Sequence, residues 1–257
     1  MGKVVAFSNQ KGGVGKTTTC VNMGAFLAQK GYKVLIVDFD PQGNATSGLG
    51  FSKSEVKNSA YNVVIDETPI EDVVVKTELE NLDILPSSID LAGAEVELVY
   101  VKDREHALKK ALAKAVPSYD FIFIDCPPSL GLLTINALSA SDTVIIPIQS
   151  EYYALEGLSQ LMNSIKLVTR HLNSGLRVEG VVLTMNDRRA IISRQISDEI
   201  RKYFGKNVYD TVIPRNIRLA EAPSHGVPIT EHDPKSTGAK AYQSLTEEFL
   251  ARQPAKK

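Results

Sequence analysis

Short runs of apolar, largely β-branched residues recur along the chain, and segments with helical spacing of apolar positions lie between most of them. Continuous apolar runs of this length are typical of strands that are covered on both faces. They predict strands at residues 3–7, 33–37, 82–85, 121–125, 143–148, 178–184 and 208–213. Because strands joined through helices form right-handed parallel crossovers, the pattern predicts a doubly wound α/β fold. Its sheet should be mainly parallel and flanked by helices.

Helix signals agree with this prediction. Helices are predicted at 17–30, 91–116 and 235–252, and a glycine or proline follows each of them within two residues. The stretch from 43 to 77 is the least regular, and it follows a strand end, where α/β folds place loops that contact ligands. The chain has 257 residues and no low-complexity linker, so we expect one domain over residues 1–257.

The composition excludes several classes of protein. Hydrophobic residues make up 43% of the chain and charged residues 23%, which is typical of a globular protein and not of a disordered one or a coiled coil. The two cysteines, Cys20 and Cys126, lie in apolar segments and are too few for a disulfide framework or a four-ligand zinc site. The sequence starts without a signal-peptide pattern, and each apolar run is far shorter than the ~20 residues of a membrane span. We therefore expect a soluble cytoplasmic protein without stable membrane association.

Charge is unevenly distributed although the net charge is −1. Residues 52–105 contain thirteen acidic and five basic side chains, whereas residues 187–221 contain eight basic and five acidic ones. A basic stretch of this kind is an electrostatic footprint and not a motif. By itself it favours ordinary solvated helix faces over a nucleic-acid surface.

The most specific motif lies directly after the first predicted strand, where residues 10–18 read QKGGVGKTT and open a helix. Glycines let the loop turn its backbone N–H groups inward, and the helix N-terminus adds its positive dipole end, so a polyphosphate can be held without side-chain bulk. Lys16 can reach the β- and γ-phosphates, and Thr17 supplies a hydroxyl for Mg²⁺. The predicted nucleotide-binding residues of this loop are Lys11, Gly12, Gly13, Val14, Gly15, Lys16, Thr17 and Thr18.

The loop departs from the usual phosphate-binding pattern at one position, because Gln10 stands where a glycine is expected five residues before Gly15. The next residue, Lys11, is a second lysine at the loop entrance and is poorly placed for the phosphates of its own subunit. We expect it to reach across a two-fold axis to the nucleotide of a partner subunit. Gly12 would then permit close backbone approach at that interface.

Two further strand ends carry carboxylates. Asp38 and Asp40 follow the strand at 33–37 and are two residues apart, so both side chains point the same way from an extended backbone. The strand at 121–125 ends in Asp125 in a Walker B pattern, and this carboxylate should hold Mg²⁺ through water. Parallel strands bring their carboxyl ends to one edge of the sheet, so the three acids should converge there.

These motifs resemble those of the deviant Walker ATPases of the ParA/MinD group. The resemblance is carried by the loop at 11–18, by DFDPQGN at 38–44 and by DCPP at 125–128. The segments SEYYALEG at 150–157 and VIPRNIRLAEAPSHG at 212–226 look most like the chromosomal ParA branch, called Soj. The likeness covers nearly the whole chain.

The resemblance implies a fold of the P-loop NTPase type and an ATP-dependent switch with ATP and Mg²⁺ as cofactors. ATP would drive formation of a sandwich homodimer, and the dimer would bind double-stranded DNA without sequence preference. A ParB-type partner would stimulate ATP hydrolysis. The output would be chromosome or plasmid segregation by a cytoplasmic, nucleoid-associated protein.

Residue roles follow from the same resemblance. Lys11 is the signature lysine that acts on the partner's nucleotide, and Lys16 is the phosphate-loop lysine. Thr17 is the Mg²⁺ ligand, Asp40 positions or activates the attacking water, and Asp38 supports Mg²⁺ binding and switching.

Four more positions match sites of the family outside the phosphate loop. Pro214 and Asn216 fall where the family contacts the adenine end of the nucleotide, and Arg189 and Arg218 fall where related proteins contact DNA. The basic region carries no helix-turn-helix or zinc pattern. DNA binding should therefore run through phosphates and be sensitive to salt.

A MinD-like membrane-cycling ATPase in division-site placement is the main alternative, because it would share every nucleotide-binding residue. The C-terminal helix separates the two. The apolar face of this helix consists of Tyr242, Leu245, Phe249 and Leu250. Glu247 and Glu248 interrupt the basic face that a membrane-bound helix needs. The pattern predicts a helix that docks on the fold.

Other classes fit less well. Gly13, Gly15 and Asp38 have roughly the spacing of a dinucleotide-binding fold, but Lys16 and Asp125 have no use in an oxidoreductase. A metabolic ligase needs a substrate pocket, and an iron–sulfur electron donor needs a cysteine pair on loops that face a cluster. The histidines have no ligand spacing with each other or with cysteine, so we interpret them as structural or surface residues; they are His106, His171, His225 and His232.

Overall fold

A single mixed sheet carries the fold in the computed structural model, which describes residues 2–150, 154–186 and 190–254. Its strands are β1 Lys3–Phe7, β2 Val34–Asp38, β3 Val75–Lys76, β4 Leu82–Leu85, β5 Phe121–Asp125, β6 Thr143–Gln149, β7 Arg177–Asn186 and β8 Val208–Pro214. Their order across the sheet is β3-β4-β2-β5-β1-β6-β7-β8. All neighbours are parallel except β3 and β4. The predicted doubly wound α/β class is confirmed.

The predicted strands agree closely with the structure. Each of the seven is present, and its ends lie within two residues of the prediction. The sequence pattern missed β3, the antiparallel edge strand. It has two residues, which is too short for any apolar periodicity to show.

The α-helices of the described residues are α1 Lys16–Gln29, α2 Asn44–Gly48, α3 Ala60–Val64, α4 Leu91–Glu97, α5 Ala107–Leu112, α6 Leu132–Ala140, α7 Ala154–His171, α8 Ile191–Phe204, α9 Ile217–Glu221, α10 Ile229–His232 and α11 Thr237–Ala251. The first and last of them match the predicted helices at 17–30 and 235–252. The irregular stretch from 43 to 77 contains two five-residue helices, α2 and α3.

The prediction of one continuous helix from 91 to 116 is wrong, because the chain breaks between α4 and α5. Asp103 has a left-handed backbone with φ 54°, which no α-helix accommodates. The break is stabilised by Asn136 of α6, whose side-chain amide donates to the Arg104 carbonyl at 2.8 Å and accepts from the Leu108 N–H at 3.1 Å. A tertiary contact thus satisfies the backbone groups that the helix would have paired.

Both faces of the sheet are covered, as the continuous apolar runs predicted. In β1, Val4 and Ala6 pack into the layer on one face, and Val5 and Phe7 pack into the layer on the other. Helices α1 and α11 cover the second face, and α4 to α8 cover the first. The rings of Phe249 on α11 and Phe121 on β5 lie 5.4 Å apart.

The strand order brings the sequence motifs to one place. β5 lies between β1 and β2, with Asp125 paired in register to Phe7 on one side and to Asp38 on the other. The loop that follows β1 therefore starts beside both acidic strand ends.

Candidate nucleotide site

The loop between β1 and α1 has the backbone that a phosphate cradle requires. Gly13 and Gly15 adopt left-handed conformations with φ 72° and 86°, which side chains other than glycine rarely tolerate. Helix α1 begins at Lys16, so its unpaired N–H groups point toward the loop. Gly12 is exposed, and a Cβ placed there would meet no atom of the chain closer than the Cβ of Pro128 at 4.0 Å.

Lys16 lies buried at the base of this loop, with 6% of its surface exposed. Burial lowers the pKa of its ammonium group below the usual value, although the nearby carboxylates of Asp125 and Asp40 act in the opposite direction. A buried cation facing carboxylates in a glycine-rich loop suits a ligand that carries several negative charges.

Asp125 is the most deeply placed acid of the site. It is fully buried, and the Thr17 hydroxyl donates to its Oδ2 at 2.6 Å. Among the described residues, its other oxygen, Oδ1, has no hydrogen-bond partner. Burial first, and then the charge of Asp38, raises the pKa of Asp125 well above its usual range.

This pair of side chains fits a magnesium ion. Mg²⁺ takes hard oxygen ligands and usually keeps several waters, with one or two carboxylates supplied by the protein. A buried carboxylate oxygen without a partner, beside a hydroxyl at the start of a phosphate-binding helix, provides such ligands. The residues that would hold the ion are Thr17 and Asp125.

Asp38 is engaged differently, because its carboxylate organises the following loop. The backbone N–H and the hydroxyl of Thr46 on α2 both donate to Asp38 Oδ2 at 2.7 Å. Burial raises the pKa of Asp38 to about 6, against the lowering effect of the two hydrogen bonds from Thr46. These contacts close the loop from β2 to α2; a direct role for Asp38 at Mg²⁺ stays a prediction.

Asp40 lies inside that loop and lines the cavity. Only 6% of its surface is exposed, and its Oδ1 accepts a hydrogen bond from the Gln42 N–H at 2.9 Å. The Ser87 hydroxyl donates to the Asp40 carbonyl at 2.8 Å, and the Ser87 N–H donates to the Thr46 hydroxyl at 2.9 Å. The end of β4 thereby holds the loop that carries Asp40.

A cavity of about 390 Å³ extends from the phosphate loop toward the C-terminal part of the chain. One end is formed by Gly12, Gly13, Gly15, Lys16, Thr17, Thr18 and Asp40. Lys11 and Val14 are not among the lining residues, and phosphate binding by this loop stays a prediction. The other walls include Met185, Ala222, Pro223, Val227 and Pro228. This second group was missed from the sequence, although its two prolines after a strand end are a signal for a shaped loop.

Pro214 and Asn216 are not among the residues that line the cavity. Asn216 caps α9 instead, because its Oδ1 accepts from the N–H groups of Arg218 and Leu219 and its amide donates to the Thr237 hydroxyl at 2.8 Å. The contact of Pro214 and Asn216 with adenine stays a prediction.

Of the two predicted DNA-binding residues, the structure describes Arg218. Arg189 lies outside the described residues. Arg218 is about half exposed, and its guanidinium pairs with Glu221 at 2.8 Å and with Asp233 at 3.6 Å. A DNA role for both arginines stays a prediction.

The structure brings two histidines into contact, although their spacing in the sequence did not predict it. The rings of His225 and His232 stack with centroids 4.8 Å apart, and His232 Nε2 lies 3.6 Å from a carboxylate oxygen of Glu221. The cysteines are separate from this cluster, since Cys20 and Cys126 are both buried as free thiols.

The mainly parallel sheet, the glycine-rich phosphate loop and the acidic strand ends define a P-loop ATPase. Residues 2–178 match the protein family described as AAA domain. The chain belongs to this family, and within it to the ParA/Soj branch of the ParA/MinD ATPases.

Two relatives cover nearly the whole chain. The sporulation initiation inhibitor protein Soj of Bacillus subtilis is 58% identical over 251 residues, which are 98% of this chain and 99% of that protein. The chromosome-partitioning ATPase Soj of Treponema pallidum is 49% identical over 252 residues, with 98% of each chain covered.

A solved structure supports the cofactors. The crystal structure of cobyrinic acid a,c-diamide synthase from Mycobacterium smegmatis, with a bound ATP analogue and magnesium, has a TM-score of 0.86 and 38% sequence identity to this chain. The alignment covers 97% of this chain and 95% of that one. The cofactors are ATP and Mg²⁺. The Oδ1 atom of Asp125, which has no hydrogen-bond partner among the described residues, agrees with a magnesium site.

Proposed function

We propose that this chain is the ATPase of a chromosome or plasmid partition system and works as a nucleotide-dependent switch. The observation that carries the proposal is the 58% identity to Soj along almost the full length of both proteins. Similarity confined to the phosphate loop would support only nucleotide binding. Here it also covers the basic region and the C-terminal helix, whose described residues do not line the cavity.

Within the site, the residues divide the work of hydrolysis. Lys16 and the loop N–H groups bind and neutralise the phosphates, and Thr17 and Asp125 hold Mg²⁺. The ion, when bound, stabilises the negative charge that develops on the phosphates. Asp40 orients a water for attack, because its buried carboxylate faces the cavity on a loop fixed by Ser87.

The entrance of the loop supports the proposal of a homodimer. Gly12 is exposed and has open space around its Cα, so its lack of a side chain has no evident reason within one chain. Close approach of a second subunit would explain that glycine. Lys11, the next residue toward the N-terminus, would then reach the partner's phosphates.

The dimer would bind double-stranded DNA through phosphates and would be released when a ParB-type partner stimulates hydrolysis. Arg189 and Arg218 are the proposed DNA contacts. Pairing two subunits doubles such contacts, so a weak surface on one chain becomes a useful one in the ATP state. DNA would have to compete for Arg218 with Glu221 and Asp233.

The C-terminal helix argues against membrane cycling. Tyr242, Leu245 and Phe249 of α11 are almost completely buried against the sheet and α1. A helix whose apolar face is used in the core has none left for a lipid surface. Across the described ranges, no helix is long and apolar enough to span a bilayer.

The proposal can be tested by co-sedimentation with random DNA and with anionic lipid vesicles, each with ATP and with ADP. We expect DNA binding with ATP alone, and ATP turnover that rises when a ParB-type protein from the same genome is added with DNA. Lys16→Ala is the matched control, since a variant that cannot bind ATP should sediment with neither DNA nor vesicles. ATP-dependent sedimentation with vesicles and not with DNA would favour the membrane-cycling alternative.

A further inference from the structure

Helix α4 and the 3₁₀ turn that follows it, Leu98–Tyr100, are apolar on two opposite sides. Leu91, Ala94 and Leu98 face the core and are fully buried. Ile89, Val96, Val99 and Tyr100 recur at helical spacing on the other side, and they are 69%, 64%, 48% and 88% exposed. We call these four side chains the α4 stripe. A row of large apolar side chains on the outside of a helix is typical of an interaction site.

The segment that carries the stripe is tied to both sides of the phosphate end of the cavity. At its start, Ser87 holds the Asp40 carbonyl and Thr46, as described above. At its centre, the carboxylate of Glu95 accepts hydrogen bonds from the N–H groups of Leu132 at 2.9 Å and Leu133 at 3.3 Å. Those two groups begin α6, directly after the loop that follows Asp125.

The contact of Glu95 with this loop is close. A Cβ at Gly131 would collide with the Glu95 carboxylate, so a larger residue there would displace this carboxylate from its position at the start of α6. The same loop carries Pro128, which lines the nucleotide cavity and faces Gly12. A displacement of α4 would therefore move both the Asp40 loop and the loop after Asp125.

The surroundings of the stripe indicate the chemistry of its partner. Asp90 and Glu97 flank one side of it, within the stretch of residues 52–105 that has eight more acidic than basic side chains. Arg104 lies beside the stripe, and its guanidinium donates to the Val99 carbonyl at 2.8 Å and to Glu105 at 3.1 Å. A segment with apolar side chains and lysines or arginines complements this surface.

We propose that the α4 stripe is the docking surface for a basic, apolar polypeptide segment of the ParB-type partner. By binding there, the partner would act on hydrolysis through Ser87 and Glu95. This inference rests on the proposed function and specifies where and by what chemistry the partner is recognised. Glu95 is in this scheme a positioning residue.

The test uses the double variant Val96→Lys/Tyr100→Lys, which removes apolar surface and offsets the local negative charge. Leu167→Lys is the matched control, because Leu167 is a 60% exposed apolar residue on α7. Each protein is assayed for ATP turnover, for ATP-dependent dimerisation and for stimulation by the ParB-type protein of the same genome. A labelled leucine–lysine amphipathic peptide of about 18 residues, or five helical turns, serves as a second probe. Its glutamate counterpart controls for charge.

We expect the double variant to keep basal turnover and dimerisation, to lose stimulation, and to bind the leucine–lysine peptide about 10-fold more weakly, because lysine replaces apolar contacts and repels the probe. Leu167→Lys should behave as the wild type. Wild-type stimulation and peptide affinity in the double variant would overturn the proposal. So would loss of its dimer, since the stripe would then be a subunit interface.

Two further measurements separate docking of the partner from its effect on ATP hydrolysis. Glu95→Ala should bind the peptide normally but respond less to the partner, and a full response would refute the coupling through Glu95. If the wild type is not stimulated by the ParB-type protein, the proposed function fails. The peptide titration then decides whether the stripe is a docking surface for basic apolar segments.

Discussion

The buried carboxylate of Asp38 should make the nucleotide-free protein less stable as the pH rises. Its pKa is raised from 3.8 to about 6, so the folded state holds a proton that the unfolded chain releases near pH 4. The stability that this proton contributes is fully present below pH 4 and is lost as the pH rises through about 6. At pH 7.5 the ionised group costs about 3 kcal/mol, taking 1.36 kcal/mol for each pH unit.

Asp38→Asn removes that cost and keeps the acceptor for both hydrogen bonds from Thr46. Its new NH₂ group replaces Oδ1, which receives one long contact of 3.4 Å from the Asp40 N–H. Allowing for that mismatch, we expect the variant to be about 1–3 kcal/mol more stable than the wild type at pH 7.5 without nucleotide. The midpoint of thermal unfolding should rise by roughly 2–4 °C for each kcal/mol. Such a gain at a functional position would come with a loss of activity.

The assay is thermal and urea unfolding of the nucleotide-free wild type and of Asp38→Asn. It covers the range from about pH 4.5 to about pH 8, so that it includes the raised pKa of Asp38 and the region above it. Asp198→Asn, at an exposed site on α8, controls for the change in net charge. The difference between wild type and Asp38→Asn should shrink toward pH 4.5. A destabilised Asp38→Asn at pH 7.5, or a difference independent of pH, would refute the reasoning.

Four other predictions address nucleotide and DNA binding. Lys16→Ala should weaken ATP binding on the order of 100-fold, because charged hydrogen bonds to the phosphates are lost; titration with a fluorescent ATP analogue tests this, and unchanged affinity would remove Lys16 from the site. Asp40→Ala should still bind ATP, but its turnover should fall roughly 100-fold or more, so that dimer accumulates in size-exclusion chromatography. Wild-type turnover would contradict the role of Asp40. Gly12→Val should bind ATP as a monomer, since its side chain meets little of its own chain but would block a partner. An ATP-dependent dimer of this variant would place Gly12 outside the interface. Replacing Arg189 and Arg218 with Ala should weaken binding to all DNA sequences equally and reduce its salt dependence while dimerisation persists. A wild-type salt slope would place the DNA surface elsewhere, with Lys235 and Lys240 the next candidates.

The strands and the phosphate loop could be predicted because their signals are local. A strand covered on both faces needs an unbroken apolar run, and β1, β2 and β5 show it residue by residue. The cradle needs glycines with a positive φ at fixed distances from a lysine and a helix start, as at Gly13 and Gly15. These requirements concern neighbours along the chain, so the sequence shows them directly.

Contacts between distant segments set the remaining features, and no periodicity encodes them. The helix predicted through residues 91–116 breaks because an amide from α6 offers its backbone other partners. The far walls of the cavity come from Met185 and the loop around Pro223, which the order of β7 and β8 brings to the N-terminal end of α1.

Local sequence signals and tertiary contacts both matter for the acidic residues of the site. Their positions at strand ends were evident from the sequence, and parallel topology was enough to predict that they converge. The sequence did not show how the carboxylates differ in hydrogen bonding, because their burial and their partners decide it. Thr46 donates two hydrogen bonds to Asp38, whereas one oxygen of Asp125 has no partner among the described residues. A carboxylate's role depends on the groups that surround it in space, and those groups can lie 108 residues away along the chain, as with Thr17 and Asp125.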